Sequence, residues 1–189
     1  MVLKKSELNP WKTNGTRVVY ENPWIRVSQD DVTQPDGTPG IYGVVHFKNK
    51  AIGVVPIDEE GYIYLVGQYR YPLAQYSWEI PEGGCPDGEE YLDAAKRELA
   101  EETGLTARNW TELCRSHLSN SVSDEEAIIY LATGLTQGQA NPDANEDLAH
   151  KRVKFEQAVE MVQRGEITDS MSVMAIMHYA YQLLKERLH

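Results

Sequence analysis

Three glutamates, Glu98, Glu101 and Glu102, stand at intervals of three, four and one residue. On a helix turning about 100° per residue they project from one narrow strip of surface. Like charges so placed repel by roughly 0.3 kcal/mol per pair, so the cluster is a small stability loss unless a cation resolves it. Hard divalent ions do that: Mg²⁺ takes carboxylate oxygens and water and bridges to phosphate. The chemistry implied is metal-assisted reaction at phosphorus, and a solvated acidic face is the alternative that the carboxylates alone leave open. A helix is predicted over Gly88 to Thr103. Asp87 suits its N-cap with Glu90 at capping-box spacing, Gly104 suits its stop, and Leu92, Ala95 and Leu99 share an apolar face.

The surroundings of the cluster are specific. They read Gly83, five residues, Glu89, seven residues, Arg97-Glu98-Leu99, one residue, Glu101-Glu102, one residue, Gly104-Leu105. At every specified position this stretch resembles the signature box of the Nudix hydrolases. Weaker likeness in QYRYP, SWEIPEGG and ANED points to the ADP-ribose and nucleoside-diphosphate-sugar pyrophosphatase branch of that family.

Cleaving a pyrophosphate requires neutralising two phosphates and delivering a water in line, which metal ions do. Glu98 and Glu102, one turn apart, are the first expected ligands and Glu101 the third. The resemblance adds the main-chain carbonyl of Glu82; many relatives have Ala there. The ion implied is Mg²⁺, with Mn²⁺ as a substitute. Resemblance also gives Arg97 the task of orienting a glutamate through its fork of donors, with Glu89 or Glu98 as partner. It places Glu146, on a downstream loop, as a ligand or base, with Asp143 as the nearby substitute and Ala144 where relatives often carry another acid. Glu146, Glu101 and Arg97 are therefore the expected catalytic set. For substrate, Arg70 at the end of an apolar strand would reach phosphate or the distal ribose, and Trp24 would stack on a base. Glu79 would position the metal end, and Gly83 and Gly84 would let backbone approach the metal.

These residues need a scaffold, and the 189-residue chain has room for one core. Hydrophobic residues at 41% and charged residues at 25% are ordinary globular values. No apolar run reaches the ~20 residues needed to span a bilayer, and the beginning, MVLKKSELNPWK, lacks the apolar segment of a signal peptide. A soluble, cytoplasmic protein is expected, with no membrane partner. A net charge of −11 argues against an extended nucleic-acid surface. The two cysteines, Cys85 and Cys114, form no metal-binding spacing and read as reduced thiols.

Along the chain, residues 1 to 15 read as an arm. TRVVYENPWIRVSQDDV reads as two strands broken at Asn22-Pro23, Pro35-Asp36-Gly37 as a turn, and IYGVVHF as a further extended run. AIGVVPI and YIYLVGQYRY form a strand pair near the core, and WTELCRSHL and EAIIYLATGL two later strands. TQGQANPDANEDLAH reads as a long surface loop. KFEQAVEMVQRG and DSMSVMAIMHYAYQLLKERL read as helices, the second with Met174, Met177, Tyr181 and Leu184 as its core face.

The pattern is α+β. The Nudix resemblance sharpens it to an α/β/α sandwich with a mixed sheet, preceded by a small N-terminal antiparallel sheet. Residues 1–46 are expected to form that arm and sheet and to mediate a homodimer; residues 47–189 form the catalytic domain. The function expected is Mg²⁺-dependent hydrolysis of ADP-ribose to AMP and ribose 5-phosphate. GDP-mannose or broad sugar-nucleotide hydrolysis is the enzymatic alternative, and a non-catalytic ADP-ribose sensor the alternative of another class.

Overall fold

The computed structural model describes residues 8–138 and 148–188. Two compact units emerge, one ending at Asn49 and completed by His117–Glu125, the other formed by Lys50–Ser116 and Glu126–His189.

The first unit is a three-stranded antiparallel sheet in the order β1 (Lys12–Glu21), β2 (Ile25–Thr33), β3 (Pro39–Phe47). Its turns follow from side chains that imitate backbone. At the Asn22-Pro23 break, Asn22 Oδ1 accepts from the amides of Trp24 (2.9 Å) and Ile25 (2.8 Å). At the next corner Asp36 Oδ1 accepts from the Thr38 amide at 2.9 Å, and Gly37 takes φ +87°. Lys12 to Gly15, expected in the arm, belong to β1. The completing segment is tied on by Tyr42, whose hydroxyl donates to the Ser121 carbonyl at 2.8 Å, and by Asp124, which accepts from the Phe47 amide and contacts His46 Nδ1 at 2.6 Å.

The second unit carries a seven-stranded sheet. Its main path runs β10 (Ala149–Lys154), β5 (Tyr62–Arg70), β4 (Lys50–Ile57), β9 (Glu126–Gln137), β8 (Leu105–His117), with β6 (Gln75–Glu79) on β5 and β7 (Glu82–Cys85) on β4. β4 and β9 are parallel, β4 and β5 antiparallel, so the sheet is mixed. The helices are α1 (Tyr91–Thr103), α2 (Phe155–Gln163) and α3 (Ser170–Arg187). Because side chains alternate across a strand, the central pair shows which face each helix covers. Ile52 and Val54 of β4 and Ile128, Tyr130 and Ala132 of β9 cluster with Ala94, Ala95 and Leu99 of α1. Gly53, on the other face, would carry a Cβ into Ile80, Ile129 and Met171, the last on α3. The central strands are thus covered on both sides, which is why β4 is buried over six consecutive residues instead of alternating. The layering is the expected α/β/α sandwich.

Three local expectations need correction. α1 begins at Tyr91 with Glu90 as N-cap and no capping side chain, not at Gly88 behind Asp87. Gly88 takes φ +91°, which no helix accommodates, and Glu89 is drawn to Arg97. The loop over TQGQANPDANEDLAH ends early, since its last residues pair with β5 as the start of β10. On α3 the buried residues are Met171, Ser172, Ala175 and Ile176, whereas Met177, Tyr181 and Leu184 are 42%, 60% and 54% exposed. Apolar residues lie nearly all round this helix, so periodicity alone could not choose its face. Both cysteines are free, and burial pushes the Cys85 thiol pKa up.

Candidate active site

Three consecutive residues of β7 hand their backbone to three residues of α1. The Glu82 amide donates to Glu102 Oε2 at 2.9 Å. A Cβ at Gly83 would collide with the Glu98 carboxylate, so only glycine permits this approach. The Gly84 carbonyl accepts from Arg97 Nη2 at 2.8 Å. The carboxylate strip read from the sequence is therefore pressed edge-on against the glycine strand. Gly83 and Gly84 lie within that strand, not in a turn.

Arg97 organises the exposed side of the strip. Its guanidinium grips Glu89 through Nε (3.1 Å) and Nη2 (2.9 Å), while Nη1 donates to Glu98 Oε1 (2.7 Å) and Glu101 Oε2 (3.0 Å). The hydrogen bonds to Glu89 lead in holding its pKa above the ordinary value, and they hold Glu89 below its own. One rigid planar cation thus orients three carboxylates, including both partners foreseen for it. Glu102 is 1% exposed and Glu98 12%, whereas Glu101 is 38% exposed at the rim.

A second acidic group adjoins the first through Glu82. Carboxylate oxygens of Glu79, Glu82 and Asp169 lie within 4.8 Å of one another. Arg70 reaches in from the end of β5. Its Nε bonds both Glu79 oxygens at 2.9 and 3.0 Å, and its Nη2 bonds Glu79 and, at 2.7 Å, Glu82 Oε1. Burial disfavours the Arg70 charge, but the hydrogen bonds and charges of Glu79 and Glu82 outweigh it and raise its pKa. Burial, then the charges of Asp169 and Glu79, push the Glu82 carboxyl well above its ordinary pKa. Its Oε2 is buried with no hydrogen-bond partner among the described residues. Oxygen-only donors and this orphaned carboxylate oxygen suit a hard divalent cation.

One unit therefore brings together Arg70, Glu79, Glu82, Gly83, Gly84, Arg97, Glu98, Glu101 and Glu102. Trp24 belongs to the other unit, where it is 69% exposed. Glu146 and Asp143 lie outside the described residues. Sequence reasoning missed Asp169 as a member of the site. It was legible only as a helix cap, which it also is, accepting from the Ser172 amide at 2.7 Å.

Comparison with known proteins agrees with this architecture. Residues 47–172 match the NUDIX domain, and residues 11–45 match the nucleoside diphosphate sugar hydrolase N-terminal domain. A Bacillus subtilis protein named ADP-ribose pyrophosphatase is 32% identical over 179 residues, 94% of this chain and 95% of that one. A Mycobacterium tuberculosis protein of the same name is 31% identical, covering 88% and 82%. A Bacillus methanolicus protein named methanol dehydrogenase activator is 30% identical, covering 90% and 93%. Among solved structures, one described as an ADP compounds hydrolase superposes with a TM-score of 0.85 over 95% of this chain and 97% of that one, at 21% identity. With the glycine strand, the carboxylate helix and the domain match in agreement, the chain belongs to the Nudix hydrolase family.

Proposed function

We infer that the protein hydrolyses the pyrophosphate bond of nucleoside diphosphate sugars, with ADP-ribose as substrate and AMP and ribose 5-phosphate as products. The observation that carries this reading is the docking of Glu82, Gly83 and Gly84 on Glu102, Glu98 and Arg97. It occurs in a chain that matches proteins named ADP-ribose pyrophosphatase along most of its length. Water adds across the P–O–P bridge: one phosphorus–oxygen bond forms, the bridging bond breaks, and the water proton passes to a base.

Glu98, Glu101, Glu102 and the main-chain carbonyl of Glu82 would hold Mg²⁺ or Mn²⁺. Such an ion supplies Lewis acidity, charge neutralisation and a lowered pKa for bound water. Arg97 keeps Glu98 and Glu101 in place. Arg70 keeps Glu79 and Glu82 in place, and its Nη1, with no partner among the described residues, is the donor left for phosphate or ribose. Glu146 is the proposed base. Trp24 is proposed to stack on the nucleobase from a homodimer in which residues 1–46 pair two copies, and the protein is proposed to work in the cytoplasm. Among the described residues no helix is long and apolar enough to cross a membrane.

The test is chromatography of products from ADP-ribose, GDP-mannose and other nucleotide sugars, with Mg²⁺ and with chelator. AMP and ribose 5-phosphate from ADP-ribose, lost on chelation, is the expected result. Preference for GDP-mannose would move the assignment within the family, and tight binding of ADP-ribose without turnover would make the protein a sensor.

A further inference from the structure

The C-terminal end of α1 is closed in an unusual way. The last carbonyls of a helix have no partner within it, and here two of them and that of the cap residue Gly104 are met by the two chain stems flanking residues 139–147. Glu102 O lies 2.6 Å from His150 Nε2, Thr103 O accepts from Gln137 Nε2 at 3.1 Å, and Gly104 O accepts from the Gly138 amide at 2.7 Å. A carbonyl only accepts, so His150 Nε2 carries the proton and donates. Gln137 ends β9, and His150 is the second residue of β10.

Glu102 is thereby held from both ends. Its side chain takes the Glu82 amide and its backbone carbonyl takes His150. We propose that His150 and Gln137 are positioning residues for the metal end of the site, locking the last turn of α1 so that the Glu102 carboxylate keeps its register against β7. This rests on the reading above that Glu102 is a metal ligand. Both donor residues are solvent-exposed, as a surface polar residue with no such task would be, and truncating either opens no core. A merely superficial role would leave metal affinity untouched. A residue that orients a ligand changes metal affinity or activity roughly 10- to 100-fold when removed.

The experiment titrates Mn²⁺ alone into metal-free, full-length protein, followed by paramagnetic resonance, beside kinetics on ADP-ribose. His150→Ala should weaken Mn²⁺ binding about tenfold, at the low end of that range. It should lower kcat by a similar factor with KM little changed, and His150→Gln, which restores an N–H donor, should recover most of both. Wild-type Mn²⁺ affinity in His150→Ala would overturn the proposal, as would a His150→Gln protein no better than His150→Ala. Should His150→Ala fail to fold, Gln137→Met carries the test: a severalfold loss of Mn²⁺ affinity supports the proposal and an unchanged affinity overturns it. Glu102→Gln, run in parallel, separates the two levels. Undiminished Mn²⁺ binding there would remove Glu102 from the metal site and overturn the reading on which the proposal rests, whereas weakened binding there beside wild-type affinity in His150→Ala would overturn the proposal alone.

Discussion

The two sheets are made of similar residues and are used in opposite ways. β4 is buried from Ile52 through Ile57 between α1 and α3, whereas all ten residues of β1 are exposed and the three-stranded sheet buries only Ser28 and Val32. Val18, Val19, Tyr20, Trp24, Ile41 and Phe47 all lie open. A sheet normally hides at least one face against another layer, and an apolar edge strand left bare is a template for pairing. The comparison separates a unit that carries its own core from one whose apolar surface exceeds what it can bury alone. It also separates the residues proposed to do chemistry from those proposed to associate.

The largest effect should come from breaking the first of these. Glu102→Gln removes one charge from the carboxylate strip while its remaining carbonyl oxygen can still accept from the Glu82 amide. Turnover should fall by several orders of magnitude. The melting temperature of metal-free protein should be unchanged or slightly raised, because a repelling charge is gone. Near-wild-type turnover with Mg²⁺ would remove the strip from the mechanism.

Next in size is loss of the second unit's companion. Deleting residues 1–46 removes most of the open sheet and leaves the seven-stranded core whole. The full-length chain should scatter light as a dimer, twice its 21.4 kDa, and the truncated chain as a folded monomer with weakened affinity for ADP-ribose. A full-length protein that runs as a fully active monomer of 21.4 kDa would end the idea that the sheet is shared.

The different legibility of the two halves of the site has a physical cause. Glu98, Glu101, Glu102, Arg97 and Gly83 were visible because a single helix and its entry fix their spacing, so sequence distance maps onto spatial distance. Gln137 and His150 come from separate strands placed by sheet pairing, and Asp169 from the cap of α3, so no local pattern marks them as members of one site. The start of α1 was misplaced because capping preference at Asp87 competes with the left-handed Gly88, and the backbone geometry wins. β10 was hidden because its residues, AHKRVK, lack the apolar alternation of a strand. Edge pairing with β5 supplies what composition does not.

A smaller effect, with a defined sign in pH, attaches to Glu82. Burial and the neighbouring charges of Asp169 and Glu79 raise its pKa in the folded protein above the ordinary 4.5. As pH rises past that ordinary value, the unfolded chain ionises first and stability drains until the folded pKa is reached. Glu82→Gln lacks this loss, and its amide can still accept from Arg70 while donating toward the acids. Measured with chelator, its melting temperature should exceed wild type at pH 8 and converge with it at pH 4. A gain that is constant with pH would mean that the raised proton affinity is not its source.

The smallest effect is expected on α3, where periodicity pointed to the wrong face. Leu184 is 54% exposed beside Tyr181 at 60%, while Ile176, earlier on the same helix, is fully buried. Leu184→Gln should change stability by no more than about 0.5 kcal/mol, as exposed substitutions do. Ile176→Ala should cost ~2–5 kcal/mol from lost burial and the cavity left behind. Thermal melts of the two variants beside wild type read that difference directly. Light scattering on Leu184→Gln adds the link to the first comparison. If the three-stranded sheet is the surface that pairs two copies, this variant keeps the wild-type mass and melting temperature. A fall to the monomer mass would place the contact on α3 and leave the open sheet without a partner.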